Sequence, residues 1–220
     1  MTSTLEIFAP QPEIECWVQG SEPPLIELLD QVVLIEVIQV NCPGCFIHAL
    51  PEVIKLHETY EAQGLKVFVI ATAFEHFEHN TLKNLQRLLQ HGEVQGDPLT
   101  QLSKAGFLID NKLPYSIPFS VAMDKLVKNE NNVSREDIDQ FILSQIPDFY
   151  QKKWADRRES IIQQAESYLK SKTYNARTFD MYKLQGTPSS ILIDKEGILK
   201  QVSFGEVNQL EDKVQQLLKK

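Results

Sequence analysis

The chain has 220 residues, 42% of them hydrophobic and 24% charged, which suits one sizeable globular domain or one domain with a large insertion. Its formal net charge of −8 argues against nucleic acid or an anionic membrane as the main partner, because both bind basic surfaces. The sequence contains neither a run of roughly twenty apolar residues that would span a membrane nor the basic start and apolar run of a secretory signal. We therefore expect a cytoplasmic protein.

The first half of the chain predicts a β-α-β unit. Residues 1–31 predict a loop and short edge strands. The run VVLIEVIQV (32–40) is unbroken and β-branched, which is typical of a strand buried on both faces. Apolar residues at helical spacing then predict a helix from Pro43 to about Gln63, which Pro51 should kink. LKVFVIATAF (65–74) predicts a second buried strand, parallel to the first.

Further elements follow at both ends of a region of different character. NTLKNLQRLLQ (80–90) predicts a helix and IPFSVAMD (117–124) a strand. QGTPSSILIDKEGILKQVSFG (185–205) predicts two strands joined as a hairpin, and the last thirteen residues predict an amphipathic helix.

The region between these segments, residues 128–176, is polar at its start and then helical. Ser134 and Asp137 form a capping-box pattern that predicts the start of a short helix. A second helix is predicted from about Phe149 to Tyr168.

Two of the three cysteines, Cys42 and Cys45, lie where the first buried strand becomes a helix. Unpaired N–H groups and the helix dipole stabilise a thiolate at a helix N-terminus, and a second cysteine in the first turn can attack a mixed disulfide on the first. This pattern beside a β-α-β unit is typical of a redox motif. The alternative is zinc, which needs four ligands and would have to recruit Cys16 with a histidine, or His76 and His79.

These motifs, in this order, resemble the thioredoxin superfamily, and more narrowly the TlpA-like thiol-disulfide oxidoreductases of the redoxin (AhpC/TSA-related) group. The resemblance rests on the first strand, Cys42-Pro-Gly-Cys45, the Pro51 helix, and Gly186-Thr187-Pro188 before a hairpin. FAPQPEIECWVQG and ATAFEHFEHN also resemble a cytosolic branch of that group.

The resemblance covers about residues 5–125 and 178–220. It implies an α/β, thioredoxin-like fold, in which a central mixed β-sheet is flanked by helices. The whole chain, 1–220, would then be a single domain with a helical insertion at about 128–176, before the cis-proline strand.

The resemblance also implies the roles of several residues. Cys42 is the expected nucleophile and Cys45 the resolving thiol. Pro188 is expected in the cis form opposite the dithiol, where the backbone of Thr187 pairs with substrate. The expected substrate-binding residues are Pro43, Gly44, Thr187 and Pro188.

Glu36, six residues before Cys42, matches the buried acid of thioredoxins. Burial would raise the pKa of its carboxyl and allow it to relay protons to Cys45. The alternative is a glutamate at the strand edge that reaches water.

Three further residues are candidate modulators. His48 stands where many secreted TlpA-like reductases have a glutamate, so it either takes over proton transfer or packs on the helix surface. Glu75 and His76 follow the second parallel strand, at the sheet edge where Cys42 follows the first. They either line the substrate groove or bind a metal ion, or they belong to a solvated loop.

The sequence thus predicts an enzyme, a cytosolic thiol-disulfide oxidoreductase that reduces or exchanges disulfides without a cofactor or a metal. The expected partners are a disulfide-containing protein or small thiol substrate and an upstream thiol reductant. A peroxiredoxin-like hydroperoxide reductase is the first alternative, although Gln39 stands where that family has a threonine. The second alternative is a non-catalytic binding module whose insertion binds a partner.

Overall fold

The structure, a computed structural model, describes residues 7–205 and 209–220. The chain forms two compact units. The first comprises the chain up to Lys125 and from Ala176 onward, and the second is Leu126–Asn175. Among the described residues, no helix has the length and apolar character needed to cross a membrane.

The strands of the described residues are β1 Ile14–Gln19, β2 Val32–Ile38, β3 Leu65–Ala71, β4 Ser120–Asp124, β5 Leu126–Lys128, β6 Tyr174–Ala176, β7 Ser189–Ile193 and β8 Leu199–Phe204. The first unit is built on a six-stranded mixed sheet of order β1-β4-β3-β2-β7-β8, and β5 and β6 pair separately. Strands β4, β3 and β2 are parallel, and β1, β7 and β8 each pair antiparallel with their neighbours.

The sheet has its core where the sequence is continuously apolar. Every residue of β2 is buried, and so is every residue of β3 except Lys66. A strand in the middle of a parallel sheet is covered on both faces, so it cannot alternate between apolar and polar residues. The predicted β-α-β unit is confirmed, because β2 and β3 pair in parallel on either side of α1 in the chain. The structure also confirms the edge position of the N-terminal strand β1 and the final hairpin of β7 and β8.

The helix after the dithiol begins with a wide turn. Residues Cys45–Ala49 form a π turn, in which the Leu50 N–H donates to the Cys45 carbonyl, five residues earlier. The α-helix α1, Leu50–Tyr60, follows, with Pro51 in its first turn. The distortion predicted at Pro51 thus takes the form of a π turn immediately before it.

The other helices of the first unit are α2 Leu82–His91, α3 Gly96–Lys104, α6 Arg177–Met181 and α7 Leu210–Leu218. Helices α2 and α7 were predicted, whereas α3 and α6 were not. A buried carboxylate secures the start of α6, because Asp124 accepts hydrogen bonds from the backbone amides of Thr178 and Phe179 and from the Thr72 hydroxyl. Next to it, the Arg177 N–H donates to the Lys125 carbonyl at 2.9 Å.

The second unit contains α4, Arg135–Gln145, and α5, Arg158–Ser171. The predicted capping box is confirmed, because Ser134 and Asp137 exchange side chain–backbone hydrogen bonds of 3.1 and 2.8 Å. The buried residues of its core are Ile138, Ile142, Phe149, Ile162 and Ala165.

Helix α5 begins at Arg158 and not at about Phe149 as predicted. The residues before it, Lys152–Arg157, form a 3₁₀ segment. The Trp154 indole N–H donates to Asp148 at 3.0 Å, and the Arg158 guanidinium donates to the Tyr150 carbonyl at 3.1 Å. These side-chain bonds satisfy groups outside the α-helical pattern and so favour the tighter turn.

Candidate active site

Cys42 and Cys45 form a disulfide, with their Cα atoms 5.3 Å apart. Cys42 follows β2, and Cys45 opens the π turn. The Cys45 N–H donates to Cys42 Sγ at 3.1 Å. Cys45 is fully buried, whereas Cys42 is 9% exposed. A backbone donor aimed at the Cys42 sulfur favours negative charge there, as expected at a helix N-terminus.

The loop before β7 faces this disulfide. The Thr187–Pro188 peptide bond is cis, which confirms that expectation. The Thr187 carbonyl oxygen lies 3.6 Å from Cys42 Sγ. Gly44 lies beside the Pro188 ring. A Cβ atom added at Gly44 would be 3.9 Å from Pro188 Cδ, which is an ordinary van der Waals distance. The structure thus brings together the dithiol, Gly44, Thr187 and Pro188, with Pro43 in the intervening turn.

Glu36 is a buried acid, with 1% of its surface exposed, so it does not reach water at a strand edge. Burial raises the pKa of its carboxyl from 4.5 to about 8; a hydrogen bond from Ser190 lowers it and the negative charge of Glu52 raises it. The Ser190 hydroxyl donates to Glu36 Oε2 at 2.6 Å across the β2–β7 pair. The other carboxyl oxygen, Oε1, is buried without a hydrogen-bond partner among the described residues. A protonated carboxyl suits this environment because it carries no buried charge.

Gln39 connects the cis-proline loop to the loop after β3. Its side chain is 3% exposed. Its amide nitrogen donates to the Glu75 carbonyl at 3.1 Å, and its amide oxygen accepts from the Thr187 hydroxyl at 3.3 Å. Asn80 links the loop after β2 to the loop after β3. Its side chain accepts from the Asn41 N–H at 3.0 Å and donates to the Glu75 carbonyl at 2.9 Å.

The candidate modulators lie on exposed surfaces. His48 is exposed on the π turn, and the side chains of Glu75 and His76 are exposed in the loop. It is the backbone of Glu75 that contacts Gln39 and Asn80.

No metal-binding group is present in the part of the chain that the structure describes. Within residues 7–205 and 209–220, no three histidine, cysteine or acidic side chains are placed to hold a metal ion. His76 and His79 both approach Glu78, at 3.7 and 3.5 Å. Cys16, on edge strand β1, is a free cysteine of intermediate exposure. The zinc alternative therefore lacks its ligand set in these residues.

Tyr115, in the loop before β4, contacts the active-site helix, by which we mean the π turn Cys45–Ala49 together with α1. Its hydroxyl donates to the Phe46 carbonyl oxygen at 2.6 Å. Burial raises the pKa of Tyr115, which keeps the hydroxyl protonated and therefore a donor.

Sequence reasoning missed the roles of Ser190, Gln39, Asn80 and Tyr115. Gln39 had a usable signal, since it is the second polar residue, after Glu36, in an otherwise apolar strand run. Asn80 and Tyr115 lie in polar or proline-flanked loops, and no local pattern distinguishes them.

Neither a scan against protein-family models nor a search of curated protein sequences finds a match for this chain. Solved structures do match. A thioredoxin-like superfamily protein aligns with a TM-score of 0.59 at 22% identity, covering 97% of each chain. A thiol-disulfide isomerase from Corynebacterium glutamicum aligns with a TM-score of 0.58 at 23% identity, covering 98% of each.

A thioredoxin-like protein in the oxidised form also aligns, with a TM-score of 0.53 at 13% identity and coverage of 98% of this chain and 97% of the other. The chain therefore has a thioredoxin-like fold, with a mixed central sheet flanked by helices. The predicted fold class and the resemblance to the thioredoxin superfamily are confirmed at the level of the fold.

Proposed function

We propose that this chain is a thiol-disulfide oxidoreductase of the TlpA-like type, in which Cys42 is the nucleophile and Cys45 the resolving thiol. The observation that carries the proposal is the Cys42–Cys45 disulfide opposite the cis Thr187–Pro188 bond, with the Thr187 carbonyl 3.6 Å from Cys42 Sγ. An extended substrate segment beside Thr187 would have its sulfur next to Cys42.

The reaction proceeds in two exchanges. The Cys42 thiolate attacks a substrate disulfide, so that a Cys42–substrate bond forms, the substrate S–S bond breaks and one substrate thiol leaves. Cys45 then loses its proton and attacks Cys42 Sγ, forming the Cys42–Cys45 disulfide and releasing the second substrate thiol. Two electrons pass from the dithiol to the substrate, and an upstream thiol reductant returns them. The greater exposure of Cys42 supports its role as the attacking sulfur.

Glu36 is the proposed proton relay for Cys45, with its ionised form as the acceptor. Its pKa of about 8 is close to the ordinary thiol value of about 8.5, so a fraction of Glu36 is ionised near neutral pH and can take the Cys45 proton at little cost in free energy.

The alternatives have less support. Gln39 carries no hydroxyl, and its amide is hydrogen-bonded to the Glu75 carbonyl and the Thr187 hydroxyl, so it does not reproduce the threonine that orients a peroxide in peroxiredoxins. A purely non-catalytic binding role would not require a buried acid of raised pKa in the strand that leads to the dithiol. We also propose, from the sequence, that the protein works in the cytoplasm on protein or small thiol disulfides, a location that cell fractionation would test.

The test is trapping of the mixed disulfide. In cells or with insulin as substrate, Cys45→Ser should accumulate disulfide-linked adducts through Cys42, because the resolving thiol is missing. Cys42→Ser is the matched control and should trap none. Equal trapping by both variants, or alkylation at neutral pH that labels Cys45 faster than Cys42 in the reduced wild type, would refute the assignment of roles.

A further inference from the structure

The π turn leaves one backbone carbonyl of the active-site helix without its regular donor. In this turn a carbonyl accepts from the N–H five residues later, as Cys45 does from Leu50. The corresponding donor for Phe46 would be residue 51, which is proline and has no N–H. Phe46 is fully buried, so its carbonyl needs a hydrogen-bond partner within the protein.

The Tyr115 hydroxyl supplies that partner, from 69 positions further along the chain, at 2.6 Å. Tyr115 lies in the loop before β4, which is itself held in place. The side chain of Gln19 donates to the carbonyls of Ile117 and Phe119 in that loop, at 2.8 and 2.7 Å.

We infer that Tyr115 is a positioning residue for the resolving cysteine, because its hydroxyl replaces the hydrogen bond that Pro51 cannot make and so holds the π turn that begins at Cys45. This inference rests on the proposed function for its consequence. The Phe46 peptide directly follows Cys45, whose N–H contacts Cys42 Sγ at 3.1 Å. Fixing that peptide fixes the approach of the Cys45 sulfur to Cys42.

Loss of the Tyr115 hydroxyl should change the equilibrium between dithiol and disulfide. In Tyr115→Phe the turn is held less firmly, so the effective concentration of the Cys45 thiol at Cys42 falls. The disulfide should become about three- to tenfold less favoured against glutathione, which corresponds to about 14–30 mV in reduction potential. Equilibration of the full chain with glutathione buffers of known ratio measures this shift.

Tyr182→Phe is the matched control. Tyr182 likewise has a hydroxyl that donates to a backbone carbonyl, that of Pro10, which lies outside the π turn and α1. Its loss should lower the free energy of unfolding without moving the dithiol equilibrium more than about twofold. A shift in Tyr115→Phe no larger than that in Tyr182→Phe would overturn the inference.

Pro51→Ala provides a rescue, because alanine restores an N–H at position 51. In the Pro51→Ala background, Tyr115→Phe should shift the equilibrium by less than about twofold. An equal shift in both backgrounds would overturn the link between Tyr115 and Pro51.

A wild-type chain that forms no Cys42–Cys45 disulfide with glutathione would instead refute the proposed function. Amide hydrogen exchange then decides on Tyr115: faster exchange across residues 45–50 in Tyr115→Phe than in Tyr182→Phe supports the positioning role, and equal exchange overturns it.

Discussion

Replacing Glu36 with glutamine removes a buried ionisable group while keeping the shape of the side chain. The amide oxygen of glutamine can still accept the hydrogen bond that Ser190 donates to Glu36 Oε2 at 2.6 Å. What changes is that glutamine does not titrate. The difference in stability between the two proteins therefore reports the ionisation of Glu36.

The sign and size follow from the raised pKa. Between pH 4.5 and about 8 the unfolded chain has lost this proton and the native protein still binds it, so the stability of the wild type falls as pH rises through that window. Each unit of pKa difference corresponds to about 1.4 kcal/mol. At pH 7 the glutamine variant should have gained about 3 kcal/mol of unfolding free energy over the wild type, relative to the difference at pH 4.

Urea unfolding of both oxidised proteins from pH 4 to pH 9 measures this difference. Glu58→Gln, which removes an exposed carboxyl from α1, controls for the loss of one negative charge from the chain. A difference in unfolding free energy between Glu36→Gln and wild type that stays constant from pH 4 to pH 8 would show that Glu36 has its ordinary pKa in the native state, and would contradict the effect of burial.

Gln39→Leu breaks both hydrogen bonds of that side chain, so KM for a protein disulfide should rise about three- to tenfold (about 1 kcal/mol of lost positioning). Turnover of hydroxyethyl disulfide should stay unchanged, and Ser120→Ala, which breaks the hydrogen bond from Ser120 to Glu22 at the N-terminal end of β4, should change neither; equal effects on both substrates would contradict the positioning role. Asp124→Ala leaves two buried amides without acceptors and should lower the free energy of unfolding in urea by at least about 2 kcal/mol; a loss below about 0.5 kcal/mol would count against it. Joining Lys125 to Ala176 through four Gly and Ser residues should leave the glutathione equilibrium of the dithiol within about twofold of wild type, because the Lys125 carbonyl and the Arg177 N–H are already 2.9 Å apart; loss of the redox couple in a folded variant would contradict this.

Local patterns sufficed for the buried strands β2 and β3 and for the position of the dithiol, but not for the short strands β5 and β6. The runs 32–40 and 65–74 are apolar over their whole length, and a pattern of this kind has one common explanation, a strand buried on both faces. The cis form of Thr187–Pro188 was expected only because CxxC and Gly-Thr-Pro occur in the order typical of the superfamily.

The contacts that support the site depend on residues far apart in the chain. Gln39 and Thr187 are separated by 148 positions, and Tyr115 and Phe46 by 69. Pro51 predicted that the helix would be distorted, but an α kink and a π turn both accommodate a proline. The choice between them depends on the Tyr115 donor, which no local window of sequence contains.

The sheet of the first unit joins strands that are remote in sequence, and this has a consequence for how the chain folds. Glu36 on β2 meets Ser190 on β7 across 154 positions, and the second unit accounts for about a third of that loop. Loop-closure entropy grows only with the logarithm of loop length, so the excursion adds about 0.4 kcal/mol to the cost of joining these strands. Contact order, in contrast, rises with such separations, so we expect pairing of β2 with β7 to be a late and slow event in folding. The long connection between β2 and β7 therefore changes the stability of the sheet very little, and its main effect is to slow folding.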